Sequence, residues 1–185
     1  MKNLIMALFI LFPPALLSQS QFSIAVNGGT FFPNSSTFKL GVGGLISVDY
    51  HLTNDFTFYL TSGYTTWGYK NSNNYNTRII PIIVGMKYKL FENSISPYLS
   101  SEFQYMTGEI DRLYHRPAVV NGSVQIVPVE KTINFTDYGV GLGAGISLPL
   151  NKNLSLDFGS SLLLTAKNSE IYNIRGMVGL SYNFN

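Results

Sequence analysis

From Phe22 onward, apolar side chains recur at every second position, and clusters of Asn, Ser, Gly and Pro interrupt them at fairly even intervals. A period of two is the mark of strands with two unlike faces. Eight segments follow. Gln21 to Phe32 sets Phe22, Ile24 and Val26 against Ser23, Ala25 and Asn27. Phe38 to Tyr50 sets Leu40, Val42, Ile46 and Val48 against Lys39, Gly41, Gly43, Ser47 and Asp49, and Asp55 to Trp67 aligns Phe56, Phe58, Leu60 and Tyr64. Arg78 to Leu90 opposes Ile80, Ile82, Val84, Met86 and Tyr88 to Gly85, Lys87 and Lys89. A fifth segment from Pro97 opposes Leu99, Phe103 and Tyr105 to Ser100, Glu102 and Gln104. The sixth is the most regular: Tyr138, Val140, Leu142, Ala144, Ile146 and Leu148 alternate with Gly139, Gly141, Gly143, Gly145 and Ser147. The seventh sets Leu154, Leu156, Phe158 and Leu162 against Ser155, Asp157, Gly159 and Ser161. The last, Ser169 to Phe184, sets Tyr172, Ile174, Val178, Leu180, Tyr182 and Phe184 against Asn173, Arg175, Ser181 and Asn183.

Eight consecutive strands in up-and-down order close into an antiparallel barrel, which removes the edges an open sheet would expose. Parity alone does not say which face is outside. The polar face is rich in Gly and Ser, which suits a crowded lumen and makes a poor solvent-exposed strand. The other face carries more Phe, Tyr, Leu and Ile than the interior of an eight-stranded barrel can hold. The expected fold is therefore all-β: an eight-stranded antiparallel up-and-down transmembrane β-barrel with its apolar face on lipid.

The connections support this. Short turns around Leu52-Thr53-Asn54, Asn93-Ser94 and Asn151-Lys152-Asn153 gather at one end, and longer polar stretches, 70–77 and 109–134, at the other. Such asymmetry matches short periplasmic turns and long outer loops. Aromatics crowd both expected rims, Tyr50, Phe56, Tyr88, Phe91, Tyr98 and Phe184 at the turn end, and Phe32, Phe38, Tyr64, Trp67, Tyr69, Tyr105 and Tyr138 at the other.

The first segment differs. Lys2 precedes an almost wholly apolar run from Leu4 to Leu17, and Ser18-Gln19-Ser20 offers small residues at the positions a signal peptidase reads. Residues 1–20 are expected to be a signal peptide, and 21–185 the barrel domain. Pro13-Pro14 interrupts a run already short of the roughly 20 residues a membrane helix needs.

Composition narrows the chemistry. Charged residues are only 12% of the 185, the formal charge is +2, and no run of Lys or Arg exists, so no nucleic-acid partner is expected. The absence of Cys removes thiolate metal sites and cysteine nucleophiles, and two histidines make a dedicated metal site improbable. No metal and no cofactor is expected. Gly139-Val140-Gly141-Leu142-Gly143 lies within a strand, not at a strand-to-helix turn, and so is no nucleotide loop.

The mature pattern from Phe22 to Phe184 resembles the small outer-membrane barrels of the OmpA/OmpX type. The alternating Val178, Leu180, Tyr182 and Phe184 are similar to the aromatic last strand that the barrel assembly machinery reads in that family, although Asn185 follows. The resemblance implies export to the cell outer membrane, contact with its lipid, and the assembly machinery as a partner during biogenesis. It also implies a structural or surface-interaction role, including adhesion, with an extracellular protein or surface ligand as the partner.

Three groups of residues are candidates for more. Asn121-Gly122 between apolar runs is a strong hairpin signal; pairing Val120 with Ser123 sets Tyr105 opposite Tyr138, Phe103 opposite Val140 and Leu99 opposite Ala144. The fifth and sixth strands would then extend as a ribbon past the membrane, bent or blunted at Pro117 and Pro128 and able to capture a partner strand by its edge. Lys87, Glu102, Asp157 and Arg175 all fall on the inward face, with Lys87 diagonal to Glu102 and Arg175 diagonal to Asp157, as a polar network in the lumen. Trp67, Arg112, Tyr114 and Arg116 are the loop residues expected to meet a ligand. No catalytic residues are expected: His51 sits in a turn and His115 has no Ser at a spacing that would make it a base. Two alternatives compete: a soluble lipocalin-type barrel with its apolar face around a hydrophobic ligand, and a lipid A-modifying barrel enzyme.

Overall fold

Alternating faces let each strand pair with the next in sequence, and a computed structural model shows the pairing continuing until the eighth strand meets the first. It describes residues 22–32, 38–70, 72–91, 95–120, 123–166 and 174–184. The strands are β1 (Phe22–Phe32), β2 (Gly41–His51), β3 (Phe56–Tyr69), β4 (Ser72–Lys89), β5 (Ser96–Val120), β6 (Ser123–Pro149), β7 (Leu154–Thr165) and β8 (Ile174–Asn183). All are antiparallel and close as β1-β2-β3-β4-β5-β6-β7-β8. Among the described residues no helix is long and apolar enough to cross a membrane. The expected signal peptide, and the 169–173 portion of the expected eighth strand, lie outside the described residues.

The wall turns its apolar side outward. Ile24, Val26, Leu60, Val84, Phe103, Leu142 and Leu180 are all exposed, Leu142 at 70%. In water such a continuous apolar band would aggregate; in hydrocarbon it is solvated, and the closed ladder leaves no strand edge around the barrel to satisfy. This arrangement removes the lipocalin alternative, whose apolar face would line the inside. At the turn end the Phe22 and Tyr50 rings pack tilted at 5.0 Å, Phe56 and Tyr88 likewise at 5.2 Å, and Tyr182 and Phe184 edge to face at 5.4 Å. These rings form one girdle.

Two rim assignments are corrected. Trp67 and Tyr98, expected on the lipid side, are inside the barrel at 3% and 9% exposure. Outward side chains are even-numbered in β3 and odd-numbered in β5, so odd Trp67 and even Tyr98 both point inward; Tyr98 shares its face with Ser100 and Glu102, and Trp67 with Thr65. Residue type suggested a rim, and parity decided otherwise.

The long strands differ from the apolar segments that announced them. β4 begins at Ser72, not Arg78, because the polar stretch still pairs with β3, as in Trp67↔Thr77 and Gly68↔Asn76. Backbone hydrogen bonds need no apolar side chains. β5 and β6 pair without a register break from Ser96↔Ser147 to Val120↔Ser123. Tyr105↔Tyr138, Phe103↔Val140 and Leu99↔Ala144 stand as the Asn-Gly turn requires.

One gap interrupts the wall. The β3–β4 pairs pass from Ser62↔Ile82 to Thr65↔Ile79, skipping the level of Pro81. Proline has no N–H to give the ladder. The Ser62 hydroxyl donates to the Pro81 carbonyl at 2.9 Å instead.

Candidate functional site

The lumen is stratified. At the turn end His51 is fixed between two hydroxyls, Ser23 Oγ at 3.0 Å from Nε2 and Thr57 Oγ1 at 2.9 Å from Nδ1. Alternation places these three on the inner face of β1, β2 and β3 at one level. One layer further in, Lys87 Nζ donates to Asp49 Oδ2 at 3.0 Å. Asp49 also accepts from the Ser47 hydroxyl, which accepts in turn from Thr61 at 2.9 Å. The Lys87 ammonium lies 5.2 Å from the Tyr59 ring centroid and 5.7 Å from that of Tyr98, within cation–π range.

At mid-barrel Arg175 Nη2 donates to both Glu102 oxygens, at 2.8 and 2.6 Å, with the two side chains only 3% and 2% exposed. The Tyr59 hydroxyl donates to Glu102 Oε2 at 3.2 Å. Charge burial on this scale is tolerated only with such pairing. Arg175 Nε and Nη1 meet no protein acceptor among the described residues. The pair thus uses one face of the guanidinium.

Glycine makes the room. A Cβ on Gly141 would sit 2.8 Å from Glu102 Cγ, and one on Gly145 would collide with the Tyr98 ring. Alternate glycines on β6 are therefore the space that the Glu102 and Tyr98 side chains occupy.

Toward the long-loop end the interior turns apolar. Leu45, Tyr59 and Ile83 form one cluster, and Phe31, Trp67, Ile79, Met106 and Leu163 form another above it. Strand alternation did not announce this plug, since apolar residues were all assigned to lipid. The usable signal is a bulky residue of inward parity: Phe31 beside Phe32, Ile79 beside Ile80, Leu163 between Leu162 and Leu164.

The four charges expected inside are inside, but with other partners than sequence spacing suggested. Glu102 pairs with Arg175 across the lumen, not with Lys87, and Lys87 pairs with Asp49. Asp157 pairs with none of them, and Arg175 stands opposite Ser161, one pair beyond the diagonal that a three-residue β7–β8 loop would give. In a narrow barrel, reach across the centre competes with reach along the wall. Asp49 and Tyr59, missing from the expected network, belong to it. Asp49 lay too near the strand end to be singled out, and Tyr59 is aromatic.

The loop candidates separate. Trp67 belongs to the plug and is not available to an outside ligand. Arg112, Tyr114 and Arg116 fall on the β5 ribbon, Arg116 exposed; the Arg112 and Tyr114 side chains lie outside what is described. β4 accompanies β5 only as far as Thr77↔Ile110, and β7 accompanies β6 only as far as Gly139↔Thr165. Beyond Ile110, ten residues of β5 pair with β6 alone, about 34 Å of ribbon at strand rise.

The prolines in the ribbon have a defined side. Pro97 O accepts from Leu90 N, so odd residues of β5 point their backbone groups toward β4; Tyr138 O accepts from Ala166 N, so even residues of β6 point theirs toward β7. By alternation Pro117 and Pro128 both face the ribbon's outer edges. They deny an N–H to an incoming strand and leave the internal ladder whole. Among the described residues no group of His, Asp and Glu could hold a metal ion.

Known proteins place this architecture. No curated protein matches the sequence. The structure is similar to Neisserial surface protein A, with TM-score 0.64 and 20% identity over 89% of this chain and 98% of that one. It is similar to OprG from Pseudomonas aeruginosa, with TM-score 0.62 and 11% identity over 89% and 95%. A third likeness is to Ail, the attachment invasion locus protein of Yersinia pestis, with TM-score 0.58 and 15% identity over 90% and 100%. At these identities the likeness establishes the fold. The family model described as outer membrane protein beta-barrel domain matches residues 4–184, so the chain, with its lipid-facing wall and closed eight-stranded ladder, belongs to the outer-membrane β-barrel proteins.

Proposed function

We propose that this outer-membrane barrel is a non-catalytic surface-interaction protein, and that the β5–β6 ribbon is what meets its extracellular partner. The observation that carries this is the uninterrupted pairing from Tyr105↔Tyr138 to Val120↔Ser123, past the last contacts of β4 and β7. A two-stranded ribbon presents backbone groups on two edges and side chains on two faces, which suits recognition of another protein. Pro117 and Pro128 blunt the edges near its tip. Side-chain recognition there, by Arg112, Tyr114 and Arg116, is thereby favoured over indiscriminate strand addition. NspA and Ail are named for surface location and attachment, which agrees with this reading.

A catalytic role finds no support in the geometry. His51 is at the turn end with both ring nitrogens engaged, and Ser23 beside it is fully buried. The plug and the ion pairs fill the lumen, so a general diffusion pore is not proposed. Export by a signal peptide at 1–20 and delivery by the barrel assembly machinery complete the reading.

The test is a pull-down of envelope and host-surface components with the intact barrel and with a variant in which residues 112–131 are replaced by a short turn. Loss of specific partners from a variant that still shows heat-modifiable gel migration supports the ribbon. Equal capture by both barrels refutes it.

A further inference from the structure

The lumen opens at its turn end into a cavity of about 340 Å³, whereas the pocket above it, around Glu102 and Arg175, holds only about 50 Å³. Lys87, Tyr98 and Asp157 line both, and so form the ceiling of the lower cavity. The ionic groups of this vestibule fall into two sets. Lys87 and Asp49 engage each other at 3.0 Å, and the His51 ring is held by Ser23 and Thr57. Lys89 and Asp157 have no bonded partner: among the described residues neither side chain makes a hydrogen bond or an ion pair, although Asp157 lies within the field of Lys87 and Lys89 within reach of His51. Lys89 lines only the lower cavity, at the end of β4; Asp157 is in the ceiling, on β7. With three strand steps from β4 to β7 in a ring of eight, the two stand on nearly opposite walls. Thr57, Ser147, Ser155 and Ser181 supply hydroxyls between them.

A simple anion drawn to Lys89 would meet Asp49 and Asp157 in the same chamber, and a simple cation drawn to Asp157 would meet Lys87 and Lys89. A molecule carrying both charges, set apart, satisfies both free groups at once. The volume lies at the small end of ligand sites, about 300–1,000 Å³, which excludes a lipid or a polysaccharide. We propose that the vestibule binds a small zwitterion, an amino acid or short peptide with free ends, its ammonium on Asp157 and its carboxylate on Lys89. The ligand reaches the site from the periplasm, and nothing in the proposal depends on the ribbon at the other end.

The experiment uses the barrel folded in micelles, with backbone amide shifts followed by NMR as alanyl-alanine is added. Two blocked analogues serve as controls: N-acetyl-alanyl-alanine lacks the ammonium, and alanyl-alanine amide lacks the carboxylate. Saturable shifts confined to the turn-end halves of β4 and β7, with each analogue weaker by about tenfold or more, are the expected result. Asp157→Asn should erase the advantage of the free ammonium, and Lys89→Met that of the free carboxylate. Should either variant fail to fold, the analogues decide with the unaltered protein. No saturable shift, or equal binding of the dipeptide and both analogues, overturns the proposal, and so does a preference for one free end alone.

Discussion

Replacing Glu102 with Gln should destabilise the barrel by about 3–5 kcal/mol, because it leaves the Arg175 guanidinium charged without its carboxylate partner in a nearly inaccessible section of the lumen. The geometry sets this figure at the upper end of single-residue effects. Both side chains are nearly inaccessible, both carboxylate oxygens are used, and the Tyr59 hydroxyl loses its charged acceptor in the same step. Arg175→Met should cost a similar amount by orphaning the carboxylate. The double replacement Glu102→Leu with Arg175→Met should recover most of the loss, since Nε and Nη1 of Arg175 already lack protein acceptors and the pair is not ideally satisfied. Reversible urea unfolding in lipid vesicles, followed by Trp67 fluorescence and gel mobility, gives the four corners of the cycle. A coupling below about 1 kcal/mol between the two positions would refute the reasoning, because a desolvated pair must be strongly non-additive.

Lys87→Met should cost less, about 1–2 kcal/mol by the same assay, because the Lys87 side chain is 24% exposed at the ceiling of the vestibule and Asp49 retains its Ser47 hydroxyl; a loss equal to that of Glu102→Gln would contradict the stratification. Gly145→Val should destabilise by about 1–3 kcal/mol through collision with Tyr98, whereas Gly28→Ala, whose Cβ meets nothing within 4 Å, should be neutral or gain up to about 1 kcal/mol; equal unfolding midpoints for the two would dismiss the packing account. Amide exchange should alternate along the ribbon, slow at 112, 114 and 116 and fast at 113, 115 and 119, and uniformly fast exchange over 112–131 would mean that the ribbon does not persist. Trp67 emission should resist quenching by brominated acyl chains, while a Tyr64→Trp variant in a Trp67→Phe background should be quenched, since Tyr64 faces outward; the reverse ranking would place Trp67 back at the rim.

Fold class, strand number, face assignment and the β5–β6 register were legible in the chain, for reasons that particular residues show. Tyr138 to Leu148 alternates without exception, so one slip would turn six apolar side chains away from the lipid. The Val120↔Ser123 pairing expected from the Asn-Gly signal sets two long strands in one register. What the chain did not display is distance across the lumen. Glu102 and Arg175 are 73 residues apart and meet only because the wall curves back on itself, whereas local spacing favoured Lys87 and Asp157 as their partners. Trp67 and Tyr98 misled for the opposite reason: aromatic rings are common at membrane rims, but here a single-residue parity step takes them inside. The polar start of β4 was obscured because hydrogen-bonded backbone outside a membrane carries no hydrophobic period.

The Glu102–Arg175 contact joins the middle of the chain to its final strand, and this has a consequence for how the protein is made. While β8 is still absent, Glu102 has no guanidinium to meet, and an unclosed sheet holds a stranded negative charge facing its hollow side. Docking of the last strand cancels that charge in the same movement that seals β8 to β1 through Ser23↔Asn183 to Phe32↔Ile174. Closure by the last strand thus adds a buried ion pair to the β1–β8 ladder, and a seven-stranded sheet lacks both.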